Sequence, residues 1–461
     1  MEFSTFSLCL PMIIKFFVNI LEKPLPQEED DDPSLNQNKK RIIPTLETLF
    51  NILSTEDGNV LRALAPFVHL LVDPLCKLAI YPLHNCIRSE SLSCLPYCLE
   101  LSQLHSGASQ DKKTMKMFSK ILNVSLSDSY TDLGVISSLI SVVNSVISMM
   151  GDDAMTLDQV QMTLNTIVKM EKWLFYMAYQ ILDFNEDVIG DQDPRLMIAA
   201  IVDSMSCLYS SMADMIKYNS TITAPLITAG ILENLCKMIN GTAMTRVKVA
   251  MMDFITDYCY YGGEFALNSL PLFIPTLIKH LKQSRDYTRI KSAMVLAAAK
   301  VAKERLSPWL TQLVQGMDTM ISQTSFPDLN KVETDEIIYS TGQIILLVPP
   351  TDSSRILNTI IPKWLNNLPR SIIVDDAFEE DYRDHISKTF CSVVKTHTNK
   401  CLGQQYQHVV QLYQIITGFM EICAPPEIEL LTETWSLIKD TYLESWDQVP
   451  SLTRNVLSKL K

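Results

Sequence analysis

The stretch TRVKVAM at residues 245–251 returns as TRIKSAM at residues 288–294, 43 positions further on. Both copies hold a Thr-Arg pair, a β-branched residue, a Lys and an Ala-Met pair. The second copy lies within LPLFIPTLIKHLKQSRDYTRIKSAMVLAAAKVAKE at residues 270–304. Its first half carries apolar residues at helical spacing, with Pro275 inside. KQSRD then makes a short polar turn. In the second half Ile290, Met294, Ala297 and Val301 share one face, so the segment reads as a helical hairpin with an apolar seam on both helices. Asp286 and Arg289 flank the turn, where an Asp can cap the second helix.

The first copy has the same form. PLITAGILENLCKMI is a helix, NGTAM the turn, and TRVKVAMMDFITDYC the next helix, with Val247, Ala250, Met251, Phe254 and Tyr258 as its apolar stripe. The pattern recurs in LSPWLTQLVQGMDTMISQ with ETDEIIYSTGQIILLV, in RILNTIIPKWLNNLP, and in LAPFVHLLVDPLCKLAI with NCIRSESLSCLPYCLEL. Two helices per unit at a spacing in the low forties is the grammar of HEAT repeats. The reading is therefore all-α: a HEAT-repeat α-α superhelix of antiparallel hairpins, one solenoid over residues 1–461, with roughly eleven units at that period. The two TR-x-K segments begin the inner helices of adjacent repeats.

Composition agrees. The 461 residues are 47% hydrophobic and 20% charged, with only 13 glycines, which favours a large helical core. Three charged segments read as acidic loops near 22–41, 183–195 and 374–384, and residues 427–461 as a C-terminal cap. No apolar run reaches the roughly 18 residues of a membrane span. The apolar start, FSLCLPMIIKFFVNIL, reads as an uncapped end, because a terminal repeat needs a polar outer side. The formal net charge of −13 and pI of about 5.1 set the surface against nucleic acid and suit it to basic partners. The 11 scattered cysteines read as buried thiols of a reducing compartment.

No phosphate-binding loop, metalloprotease motif or nucleophile elbow occurs, so nothing points to an enzyme or a cofactor. Cys94 and Cys98, with Cys86, His84 and His105 nearby, offer a conceivable zinc set, but buried cysteines on a helix seam are the simpler reading. The acidic pair Asp253 and Asp257, four apart on one helix side, is a candidate cargo contact. Asp375, Asp376, Glu379 and Glu380 form a second acidic candidate, and Trp364 in IPKWLNNLP an aromatic one.

Several stretches also resemble a known family. IPKWLNNLP (361–369) is similar to a Pro-x-Trp-Leu-x-x-Leu-Pro helix followed by acidic residues. IRSESLSCLPYCLELS (87–102) resembles an inner helix with a mid-helix proline. SMMGDDAMTLDQVQMTL (148–164) resembles a Met-Gly-Asp turn into an outer helix, and MMDFITDYC (251–259) a helix with two acidic residues. In this order they resemble the C-terminal half of an importin-β (karyopherin-β) nuclear transport receptor of the importin beta-three type. That resemblance implies shuttling between cytoplasm and nucleus through the nuclear pore, with basic cargo such as ribosomal proteins or histones on the inner face and Phe-Gly nucleoporins between outer helices. It also implies weak or absent binding of the Ran GTPase, because the half that holds most of it has no counterpart here. The alternative is a HEAT-repeat scaffold or regulatory subunit of another complex.

Overall fold

The protein was analysed as a computed structural model. It describes residues 3–23, 33–55, 57–81, 84–106, 120, 133–150, 156–182, 193–227, 229–241, 244–283, 288–322, 331–350, 356–368 and 378–444. Among them there is no strand. The helices are α1 (Phe3–Leu21), α2 (Pro33–Leu53), α3 (Gly58–Leu64), α4 (His69–Ala79), α5 (Asn85–Ser106), α6 (Leu133–Met150), α7 (Leu157–Leu182) and α8 (Pro194–Leu226). They continue with α9 (Ala229–Gly241), α10 (Thr245–Tyr261), α11 (Gly263–Gln283), α12 (Thr288–Ala302), α13 (Leu310–Ile321) and α14 (Lys331–Leu347). The last are α15 (Ile356–Leu365), α16 (Phe378–Thr396), α17 (Thr398–Leu402), α18 (Val409–Met420) and α19 (Pro425–Glu444).

Both TR-x-K segments open a helix at their threonine, α10 at Thr245 and α12 at Thr288. The contacts divide into two compact units, 1–227 with 246–254 and 228–245 with 255–461. In the first, α4 and α5 form a hairpin, as do α7 and α8, and the returning helices stack in the order α2, α5, α6, α8. In the second, the leading helices α9, α11, α13 and α15 stack in one row and the returning helices α12, α14, α16 and α19 in another.

The repeat period is written into the bonds between neighbouring helices. Asp203 meets Arg246 43 residues away, and Glu264 meets Arg305 at 41. Asp318 accepts from Lys363 at 45, Thr389 from Gln343 at 46, and Asn366 from Gln411 at 45. Each links an element to its counterpart one hairpin on, as stacked repeats require. The salt bridges among them are exposed or half-exposed, so they set register more than stability.

Stability comes from burial. Ala297, Ala298 and Ala299 bring α12 against α14, and Ile337, Ile338, Ile344 and Ile345 of α14 are all in the core. Gly342 marks the closest approach in this row. A Cβ there would meet Thr389 Cγ2 of α16 at 2.5 Å and Trp364 Cζ2 of α15 at 2.9 Å. The Trp364 indole, 0% exposed, donates to the Ile338 carbonyl at 2.8 Å and leads an aromatic series through Phe390 to Phe419.

Several sequence expectations change. The segment near 22–41 is helical from Pro33, because proline fits the first position of a helix and the Asn, Gln, Lys and Arg that follow tolerate one. Likewise α16 starts at Phe378, so the rear of the 374–384 segment is helix, with Glu379, Glu380 and Asp381 where the helix dipole favours carboxylates. Residues 183–192 and 445–461 lie outside the described residues; Asp193 caps α8 by accepting from the Arg195 N–H. PLITAGILENLCKMI is split by a bend after Leu226, and Asn219 breaks α8 (φ −133°, ψ 44°). The hairpin of α7 and α8 runs from residue 157 to 226, so fewer hairpins fit than a uniform period predicts. That kinked helix is also long and apolar enough to cross a membrane, but Ile201, Met205, Leu208, Met212 and Ile216 are buried in the first unit, which packs it against α6 and α7.

His397, buried after α16, aligns Nε2 with the Ile345 carbonyl of α14 at 3.0 Å. Burial is the main cause that lowers its pKa below the ordinary 6.5, so the ring is neutral in the fold.

Gly342→Ala is expected to cost about 1–3 kcal/mol in urea unfolding through overpacking, despite its gain in helix propensity. Gly241→Ala, where nothing lies within 4 Å, should be near neutral. For His397 the folded pKa is depressed, so its contribution is fully present above the unfolded value and is lost as pH falls, because the unfolded chain binds the proton first. The thermal midpoint should fall between about pH 7 and about pH 5, and His397→Gln should flatten part of that slope.

Candidate functional site

The returning row of the second unit carries an aromatic patch with charges around it. Tyr339 of α14 is nearly buried; the Lys300 ammonium of α12 lies over its ring, 4.9 Å from the centroid. The His385 ring of α16 stacks on Tyr339 at 5.6 Å, 4° from parallel. Tyr260 and Tyr261 end α10 with about two-fifths of their surface exposed, and their rings are 6.4 Å apart. Burial, then the neighbouring Tyr339, Cys259, Tyr261 and Asp257, push the Tyr260 phenol up to about 12, so it stays a neutral donor at physiological pH. Asp257 is half-buried one turn before Tyr261; Asp253, exposed, lies a turn earlier on α10, in the stretch that belongs to the first unit. Aromatic faces beside a carboxylate form a surface that takes cations, by cation–π attraction and charge together. Lys300 shows the first of these within the protein itself.

The other expected contacts divide. Trp364 is not at the surface: its ring is enclosed by α14, α15 and α16 and its one polar atom is bonded inside, so it holds the core. Glu379 and Glu380 stand in the first turns of α16, the helix that carries His385. Asp375 and Asp376 lie outside the described residues.

In the first unit a groove of about 580 Å³ crosses α2, α5 and α6. Phe50 and Tyr97 pack edge to face at 5.6 Å on its wall, Ser93, Ser138, Ser141 and Ser145 give it hydroxyls, and Glu100 is its one charge. Asn144, also on its wall, accepts from Ser211 of α8 at 2.6 Å.

The zinc reading does not fit. Cys94 and Cys98 are buried, Cys86 is exposed, and no group of three metal-binding side chains gathers among the described residues. Burial, and then Glu90, push the Cys94 thiol up to about 12, which keeps it protonated and a poor ligand.

No family model and no curated protein matches the sequence. Solved structures do match its fold. The karyopherin Kap121p bound to the SUMO protease Ulp1p superposes over 94% of the chain with a TM-score of 0.56 at 14% identity. Kap121p bound to Ste12p gives 93%, 0.57 and 15%. Importin beta in a polyethylene glycol condition gives 92%, 0.51 and 14%. The fold is that of the karyopherins. The chain spans 42% of the Kap121p chains and 50% of that importin beta chain. At such identity the karyopherin likeness lies in helix order and packing. Tyr260, Tyr339 and His385 were not among the sequence candidates, and no single motif joins them, because they lie on three different helices.

Proposed function

We propose that this protein is a nuclear import receptor of the karyopherin kind, or part of one, which binds Lys- and Arg-rich segments of cargo proteins on its returning helices. The observation that supports this most is the Lys300 ammonium resting over Tyr339, beside Tyr260 and Asp257. A surface that already holds one lysine in this way can hold a cargo lysine by the same forces. The net charge of −13 adds long-range attraction for basic chains, and the Kap121p structures that share the fold are bound to other proteins. Shuttling between cytoplasm and nucleus and Phe-Gly nucleoporins as further partners belong to the same proposal.

Binding here is electrostatic at its rim and aromatic at its centre. Asp257 draws the cation in, Tyr260 and Tyr261 offer ring surface beside the buried Tyr339, and the incoming ammonium competes with Lys300. Association should weaken with salt, since exposed charges are screened beyond about 10 Å at 0.1 M.

A fluorescent Lys-rich peptide titrated at low salt tests this. Changing both Asp253→Asn and Asp257→Asn should weaken it by about 1–2 kcal/mol, ~5–30-fold in Kd, with the helical signal intact. Lys300→Met should tighten it about two- to fivefold, by removing the internal competitor and a like charge. Unchanged affinity in both variants would place basic cargo elsewhere or nowhere on this protein.

A further inference from the structure

On the leading row of the second unit, away from the tyrosine patch, a cleft of about 400 Å³ opens between α15 and the turn that joins α17 to α18. Asn358 and Pro362 form one wall; Asn399, Lys400, Gln404, Gln407 and His408, with Gly403, form the other. Lys400 donates to the Asn358 side chain across it at 2.9 Å. Among the described residues the cleft thus holds four carboxamides, one ammonium and an imidazole, and no carboxylate lines it.

The turn behind its far wall has an uncommon backbone. Gly403 (φ 75°), Gln405 (φ 53°) and Tyr406 (φ 59°) are all left-handed, and two of the three are not glycine. A Cβ at Gly403 would meet His408 Cδ2 at 2.4 Å, so both the dihedral and the space require glycine. The His408 N–H closes the turn on the Leu402 carbonyl at 3.1 Å. Burial lowers the His408 pKa, so its imidazole adds no positive charge near neutral pH. Non-glycine residues in this region are uncommon and costly, and they gather where a surface has been shaped for a task.

We infer that this cleft is a binding site for an extended peptide segment bearing Asp or Glu side chains, with Lys400 as the carboxylate anchor and the Asn and Gln carboxamides on the peptide main chain. The argument is one of complementarity. Carboxamides carry a donor and an acceptor side by side, as a peptide unit does, so Asn358, Asn399, Gln404 and Gln407 can follow a main chain of any sequence. The one full charge selects the sign. In a chain of net charge −13, a concavity whose described lining carries a cation and no carboxylate is a place where an acidic segment meets little local repulsion. The site would let the protein hold an acidic partner and a basic cargo on different helix rows at once, and it stands whether or not the cargo proposal does.

The test is fluorescence anisotropy with a labelled peptide of alternating Asp and Ser, against its Asn-Ser counterpart and free aspartate. The acidic peptide should bind, the Asn-Ser peptide should bind about tenfold more weakly, and Lys400→Met should weaken the acidic peptide by a similar factor. Asp253→Asn with Asp257→Asn should leave it unchanged. Should Lys400→Met unfold, Gln404→Ala with Gln407→Ala, both exposed, carries the test and should also weaken binding. Equal binding of the two peptides, free aspartate competing as well as the peptide, or no effect in the folded cleft variants would overturn the inference.

Discussion

Among the described residues, apolar stripes are buried between neighbouring hairpins as well as within them, so each hairpin leans on the counterpart helix of its neighbour. The helix α14 shows the constraint at its tightest. It carries buried isoleucines on the side of α12 and on the side of α16, and at Gly342 its backbone approaches Trp364 and Thr389 so closely that a methyl group has no room. Such packing is all-or-none at each interface, because interiors at crystal-like density do not yield smoothly. It also explains why pairs such as Asp318 and Lys363 recur at one repeat length: once the backbones are in register, side chains at equivalent positions face each other.

Much of this was legible in the sequence, since it depends on periodicity. The hairpin grammar, the helix starts at Thr245 and Thr288 and the burial of Val247, Met251, Phe254 and Tyr258 all follow from apolar spacing. Other features were not. Charged segments near 22–41 and 374–384 suggested loops, yet proline at a first turn and carboxylates near a helix start are compatible with helix as well as coil. Trp364 suggested a contact because its motif resembled one elsewhere. Only the three-dimensional pairing with Gly342 shows that the ring fills a gap between helices.

The candidate surfaces were less legible still, for a physical reason. Asp253 and Asp257 stand out as charges, so they were found. What gives the patch its chemistry is Tyr260, Tyr339, Lys300 and His385, drawn from helices α10, α12, α14 and α16, and no local spacing joins them. The carboxamide cleft is similar: Asn358 and Lys400 are 42 residues apart and meet only because the leading helices stack. Repeat architecture makes neighbours of residues one period apart, so sites in such a protein are better sought at that offset than within single motifs.

That offset is also what most directly tests the account. Zero-length carbodiimide coupling joins a lysine to a carboxylate only where the two touch, and mass spectrometry then identifies the linked peptides. The structure requires links between Lys363 and Asp318, Lys395 and Glu433, Lys388 and Glu427, and Lys120 and Asp73. The first, second and fourth of these pairs are 45, 38 and 47 residues apart. Long-range links clustered about one repeat length would confirm the stack. Links at unrelated separations, with these pairs missing, would contradict it.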